Sequence, residues 1–119
     1  MSQTTELQKL IIAGIQERKG HDITIVNMEH IDSTTIDCFI ICQGNTPTQV
    51  TAIADSIREY LFEQSHIKPY NYDGYRNAQW IVIDYGDTLV HIFTPDTRQY
   101  YNLEELWSDA TVTHIPDLD

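Results

Sequence analysis

Basic residues are scarce in this chain. Seven Lys plus Arg stand against eighteen Asp plus Glu among 119 residues, a formal net charge of -11. Nucleic-acid binding rests on neutralising phosphates with Lys and Arg, so direct contact with RNA or DNA is not expected. An acidic surface instead favours encounter with a basic partner. No apolar run approaches the ~20 residues that a membrane-spanning helix needs, which argues against a membrane protein. Ser2 to Glu6 are polar, with no basic segment leading into an apolar one, so no secretory signal is read there and a cytoplasmic location is the expectation. Cysteine is limited to Cys38 and Cys42. Four positions apart on an extended segment, they share a face at about 13 Å. That is beyond disulfide reach and points to two buried, reduced thiols.

Catalytic motifs are also absent. Gly44-Asn45-Thr46 lies between a strand pattern and a helix pattern, where a loop can cradle phosphate. Metal-dependent nucleotidyl transfer would further need two carboxylates on alternate residues of one strand. No apolar strand carries Asp-x-Asp or Glu-x-Glu, and no basic residue near Asp84 and Asp87 in sequence could receive a triphosphate. The histidines His21, His30, His66, His91 and His114 show no metal-ligand spacing. There is no nucleophile elbow, P-loop or dinucleotide fingerprint. Neither a catalytic residue, a cofactor nor a metal is therefore assigned. A nucleotide-binding or nucleotidyltransferase-like enzyme stands as the alternative to a binding protein.

What is present is a two-faced hairpin. Trp80 to Phe93 holds two runs rich in β-branched and aromatic residues around Asp84-Tyr85-Gly86-Asp87, and Gly86 supplies the positive φ that a tight turn needs. A loop of Tyr85 and Gly86 would set Asp84 opposite Asp87, Val82 opposite Leu89 and Trp80 opposite His91. One face then reads Trp80, Val82, Asp84, Asp87, Leu89, His91 and Phe93, the other Ile81, Ile83, Thr88, Val90 and Ile92. The second is aliphatic, as a core face is. The first mixes aromatic, imidazole and carboxylate groups, a composition closer to a binding surface.

Around this hairpin the pattern predicts a helix over Thr5 to Lys19, with Thr5 and Gln8 in capping-box spacing and Gly20 as its stop. A strand follows over Asp22 to Met28, and then a loop or ragged continuation to Thr35. Ile36 to Cys42 reads as a strand buried on both sides. Thr46 as N-cap, Pro47 at the first helical position and Gln49 three residues past the cap open a second helix, running to about Gln64. Tyr70 to Tyr72 reads as a short strand before the Asp73-Gly74 turn. Pro95 closes the hairpin's second strand, and Asn102 with Glu105 suggests a short helix through Trp107. The expectation is a single α/β domain over residues 1–110, with about five strands in a mixed sheet, two long helices and a short C-terminal helix. Residues 111–119 are expected to form an acidic, flexible tail.

Several of these stretches together resemble the Iojap family, the bacterial ribosomal silencing factors called RsfS. They are Asp37-Cys38-Phe39-Ile40-Ile41-Cys42 with Gly44-Asn45, Gln49 with Ala52-Ile53-Ala54-Asp55, and Gly74 with Ala78 and Trp80. Asp84-Tyr85-Gly86-Asp87 with Val90-His91-Ile92-Phe93 follows, then Arg98, Tyr101, Leu103-Glu104 and Leu106-Trp107-Ser108-Asp109-Ala110. The resemblance implies a nucleotidyltransferase-like α/β domain without catalytic carboxylates. It implies binding to the large ribosomal subunit through its fourteenth ribosomal protein, blocking subunit joining and lowering translation when nutrients are scarce. The implied protein-binding residues are Trp80, Asp84, Tyr85, Asp87, His91, Phe93 and Tyr101, and a homodimer of the free protein is consistent with the family.

Overall fold

The spacing of Leu7, Leu10, Ile11, Gly14 and Ile15 produces the first helix, α1 (Glu6–Glu17), in a computed structural model that describes residues 6–28, 36–106 and 110–117. The Thr5 cap, the 29–35 connection and Trp107 lie outside the described residues. Lys19, at φ 58, takes the left-handed conformation after α1 that was expected of Gly20. Gly20 is required for a different reason: a Cβ there would lie 2.4 Å from Ile15 Cγ2.

The second helix, α2 (Pro47–Ser65), starts as its residues dictate. Gln49 N donates to Thr46 Oγ1 at 3.1 Å, and Asn45 N donates to Gln49 Oε1 at 2.7 Å, so two donors at the helix start are satisfied. α1 and α2 cross closely at Gly14, where a Cβ would come within 2.9 Å of Ile57 Cα. Ser56 Oγ donates to the Gly14 carbonyl at 2.7 Å, so the crossing is bonded as well as packed.

The strands are β1 (His21–Asn27), β2 (Cys38–Gln43), β3 (Asn71–Asp73), β4 (Trp80–Asp84), β5 (Thr88–Phe93) and β6 (Thr111–Ile115). They form one mixed sheet in the order β3-β4-β5-β2-β1-β6, in which β2 and β5 are parallel and the other neighbours antiparallel. Period-two alternation sorts the side chains to two faces. On one face Ile23, Ile25, Cys38, Ile40, Cys42, Ile81, Ile83, Val90 and Ile92 meet Ile11, Ile15, Val50, Ile53, Ala54, Ile57 and Leu61 of the two helices. The other face gathers Val26, Met28, Phe39, Ile41 and Phe93. Both cysteines are buried and free on the helix side, as their spacing implies.

Three expectations are corrected. The hairpin loop is Gly86-Asp87: Tyr85 N donates to the Thr88 carbonyl at 2.9 Å, and the strand pairs are Trp80 with Phe93, Val82 with His91 and Asp84 with Leu89. Gly86 has φ +97 and sits at the first loop position, where a type II′ hairpin places its glycine. The faces survive this shift because each partner moves by two residues. Secondly, Thr94 and Pro95 open a further helix, α3 (Pro95–Tyr101), which Asn102, at φ 46, ends, while the Asn102 carbonyl accepts from Glu105 N at 3.1 Å at the start of the next. A single turn, α4 (Leu103–Leu106), follows. Thirdly, Thr111–Ile115, expected to begin a flexible tail, forms β6 on the outer edge of β1. The unpaired N–H and C=O groups of that edge supply the ladder which the segment's own weak pattern did not announce.

Candidate functional site

The face of β4 and β5 turned away from α1 and α2 is where the sequence places the expected binding residues. Phe39, His91, Trp80, Tyr101 and Tyr100 form a continuous row of rings on this side, from the interior outward. His91 lies 4.8 Å from Phe39, edge to face, and 5.9 Å from Trp80. Trp80 stacks on Phe93 at 5.1 Å and meets Tyr101 at 4.6 Å, and Tyr101 meets Tyr100 at 5.0 Å. Offset and edge-on rings at these separations add to burial through their quadrupoles.

Exposure divides the row. His91 and Phe93 are 5% and 1% exposed, while Tyr101 and Tyr100 are 46% and 81% exposed. Trp80 is half-buried, with Val82 and Leu89 half-buried beyond it along the hairpin. Around Trp80, Tyr100 and Tyr101 opens a cleft of about 650 Å³, rimmed also by Asp73, Arg76 and Asp96. Among the described residues the strip is therefore only partly covered. Its buried members support it and its outer members are available.

α3 supplies that partial cover, and Arg98 holds α3 in place. Its guanidinium donates to the Asp22 carbonyl at 2.6 Å, to Gln43 Oε1 at 3.2 Å and to Thr24 Oγ1 at 3.0 Å. One side chain thus ties the helix to the ends of β1 and β2, and so sets Tyr101 against Trp80. Arg98 is a site group that no local sequence pattern marks as one. Thr94-Pro95 carried the usable signal, since it repeats the Thr46-Pro47 helix start.

His91 lies buried beneath Trp80. Trp80 Nε1 donates to its Nδ1 at 3.0 Å, and burial pulls its pKa down to about 4, so the ring is neutral at physiological pH. Because Nδ1 accepts, the ring proton sits on Nε2. That buried nitrogen has no partner among the described residues.

The carboxylates do not face one another as expected. Asp84 Oδ1 accepts from Gly86 N at 2.7 Å, an Asx-type turn bond. Asp87 is exposed in the loop: its Oδ1 accepts from Thr88 Oγ1 at 3.2 Å, and its carbonyl accepts from Asp37 N at 2.7 Å. Asp84 lies about 13 Å along the strand from Trp80, so aromatic groups occupy one end of the strip and carboxylates the other. Tyr85 points the opposite way. It is 6% exposed within the helix-side core, where burial pushes its hydroxyl up to about 12. Its side chain thus packs in the core behind the hairpin, on the side opposite to Trp80. Among the described residues no group of three or more His, Cys, Asp or Glu is placed to hold a metal ion, and no described helix is long and apolar enough to cross a membrane.

Comparison with known proteins places this geometry in a family. The model of the family described as ribosomal silencing factor during starvation, RsfS, matches residues 1–119. A ribosomal silencing factor of Halalkalibacterium halodurans is 40% identical over 110 residues, covering 92% of either chain. That of Bacillus subtilis is 40% identical over 111 residues, covering 93% of this chain and 90% of its own. Among solved structures, a crystal structure of a Chromobacterium violaceum protein superposes with a TM-score of 0.82 at 30% identity, covering 90% of this chain and 88% of the other. A match across the whole chain, relatives of this identity and a shared fold lead to one conclusion: the chain belongs to the ribosomal silencing factor family, RsfS.

Proposed function

We propose that this protein binds the large ribosomal subunit through its fourteenth ribosomal protein and, by occupying that surface, sterically prevents the small subunit from joining, which represses translation under nutrient limitation. Trp80 is the anchor, flanked by Tyr101, with Asp84 and Asp87 as the acidic end of the strip. Asp87 is the first choice for an ion pair with a Lys or Arg of the ribosomal protein. The observation that carries this reading is the half-open aromatic strip on a chain of net charge -11. A steric blocker needs shape, an apolar anchor and charge opposite to that of a basic partner, and no chemistry. The working location is the cytoplasm. In the free protein a homodimer through related surface is part of the same proposal.

The test is co-sedimentation with purified large subunits, with and without small subunits. Binding that small subunits compete away is the expected result, and binding unaffected by them would overturn the blocking mechanism. Trp80→Ala should weaken binding by about 2 kcal/mol, as expected for a central aromatic hot spot. A folded Trp80→Ala variant that still co-sediments as the native chain does would exclude this site.

A further inference from the structure

The contact between Trp80 and His91 carries a consequence for how the anchor works. A half-buried indole on a sheet face can rock about its two side-chain torsions, and its N–H ordinarily seeks an acceptor at a wet edge. Here that N–H is already committed inward, to His91 Nδ1 at 3.0 Å. His91 itself is held on both sides, with Phe39 edge-on at 4.8 Å and Phe93 nearly parallel at 6.2 Å and 11°. The imidazole leaves its own Nε2 buried with no partner among the described residues. A hydrophobic ring would fill this position without a stranded donor. What the imidazole adds is an acceptor for the indole.

We infer that His91 is a positioning residue, which locks the Trp80 indole in its docking orientation and withdraws its N–H, so that the partner meets the indole through its ring surface alone. This rests on the reading of Trp80 as the docking anchor. The group that lands there is an apolar or cationic side chain of the partner protein, not a hydrogen-bond acceptor aimed at Nε1. Pre-organisation acts by removing the ordering cost of the indole at the moment of binding.

The experiment follows the Trp80 indole N–H resonance, assigned by its loss in Trp80→Phe, together with co-sedimentation on large subunits. In the native protein the resonance is protected from solvent exchange. His91→Phe keeps the ring but removes the acceptor. It should leave the circular dichroism unchanged, speed the exchange and weaken binding roughly three- to tenfold, the ordering cost of one side chain. His91→Gln returns an acceptor oxygen and should restore part of both signals, which a merely space-filling role would not do. In a Trp80→Ala background, His91→Phe should bring no further loss. Native binding by a folded His91→Phe variant whose indole bond is lost overturns the inference and leaves the docking site standing. Native binding by Trp80→Ala overturns both.

Discussion

The two faces of the sheet are built from the same strands yet held together differently. On the helix side, Ile40, Ile53, Ile57, Ile81 and Ile83 are all 0% exposed, and the contacts are aliphatic and closed. On the other side the rings run in a graded row, from Phe93 at 1% exposed to Tyr100 at 81%. A closed aliphatic face depends on complementary volume, and its loss is felt as instability. A graded aromatic face combines an anchored base with a free rim, which suits it to a second protein. One side is closed by its own chain, and the other grades from a buried base to an exposed rim.

The sharpest way to break this contrast is a cavity on the helix side. Ile53→Ala, at a fully buried position between α2 and the sheet, should cost about 2 to 5 kcal/mol in denaturant unfolding. Its effect on ribosome binding at a temperature where it stays folded should be nil. A binding loss in the folded variant would mean the faces are not independent.

Acid tests the aromatic side next. The His91 value falls from 6.5 to about 4 on folding, so the unfolded chain binds a proton there that the native chain refuses. Stability from this group is therefore complete above about pH 6.5 and is lost as the pH falls to about 4, with a limit of roughly 3 kcal/mol. Unfolding free energy measured from pH 7 to pH 4 should show this slope, and His91→Phe should remove that part of it.

Trp80→Ala should lower both stability and binding. With its indole not fully buried, its stability loss should be roughly 2 kcal/mol, short of the full-burial cost, and its binding loss should be comparable. Tyr100→Ala gives the smallest effect. At 81% exposed it should change stability by no more than about 0.5 kcal/mol. Any loss of binding in that variant would extend the contact surface to the far wall of the cleft.

Which parts of this were legible in advance depends on how local the cause was. α2 announced itself because Thr46, Pro47 and Gln49 act within one turn of each other. Thr94 and Pro95 carry the same signal for α3, but Pro95 also ends a strand, so the same two residues fit two local roles. β6 had no comparable mark: Thr111 to Ile115 lies on an edge and is mostly exposed, so no buried period-two stripe records it.

Composition and spacing alone determined that Ile81, Ile83, Val90 and Ile92 share one face and that Trp80, Leu89, His91 and Phe93 share the other. Alternation is a property of the extended backbone and survives a change of loop position. The tertiary structure decided what each member of a face does. It turned Tyr85 inward, made His91 the buried acceptor of the Trp80 indole, and brought Arg98 across to β1 and β2 so that Tyr101 meets Trp80. Those outcomes depend on elements distant in sequence packing on one another, and burial and hydrogen-bond partnership exist only once that packing has formed.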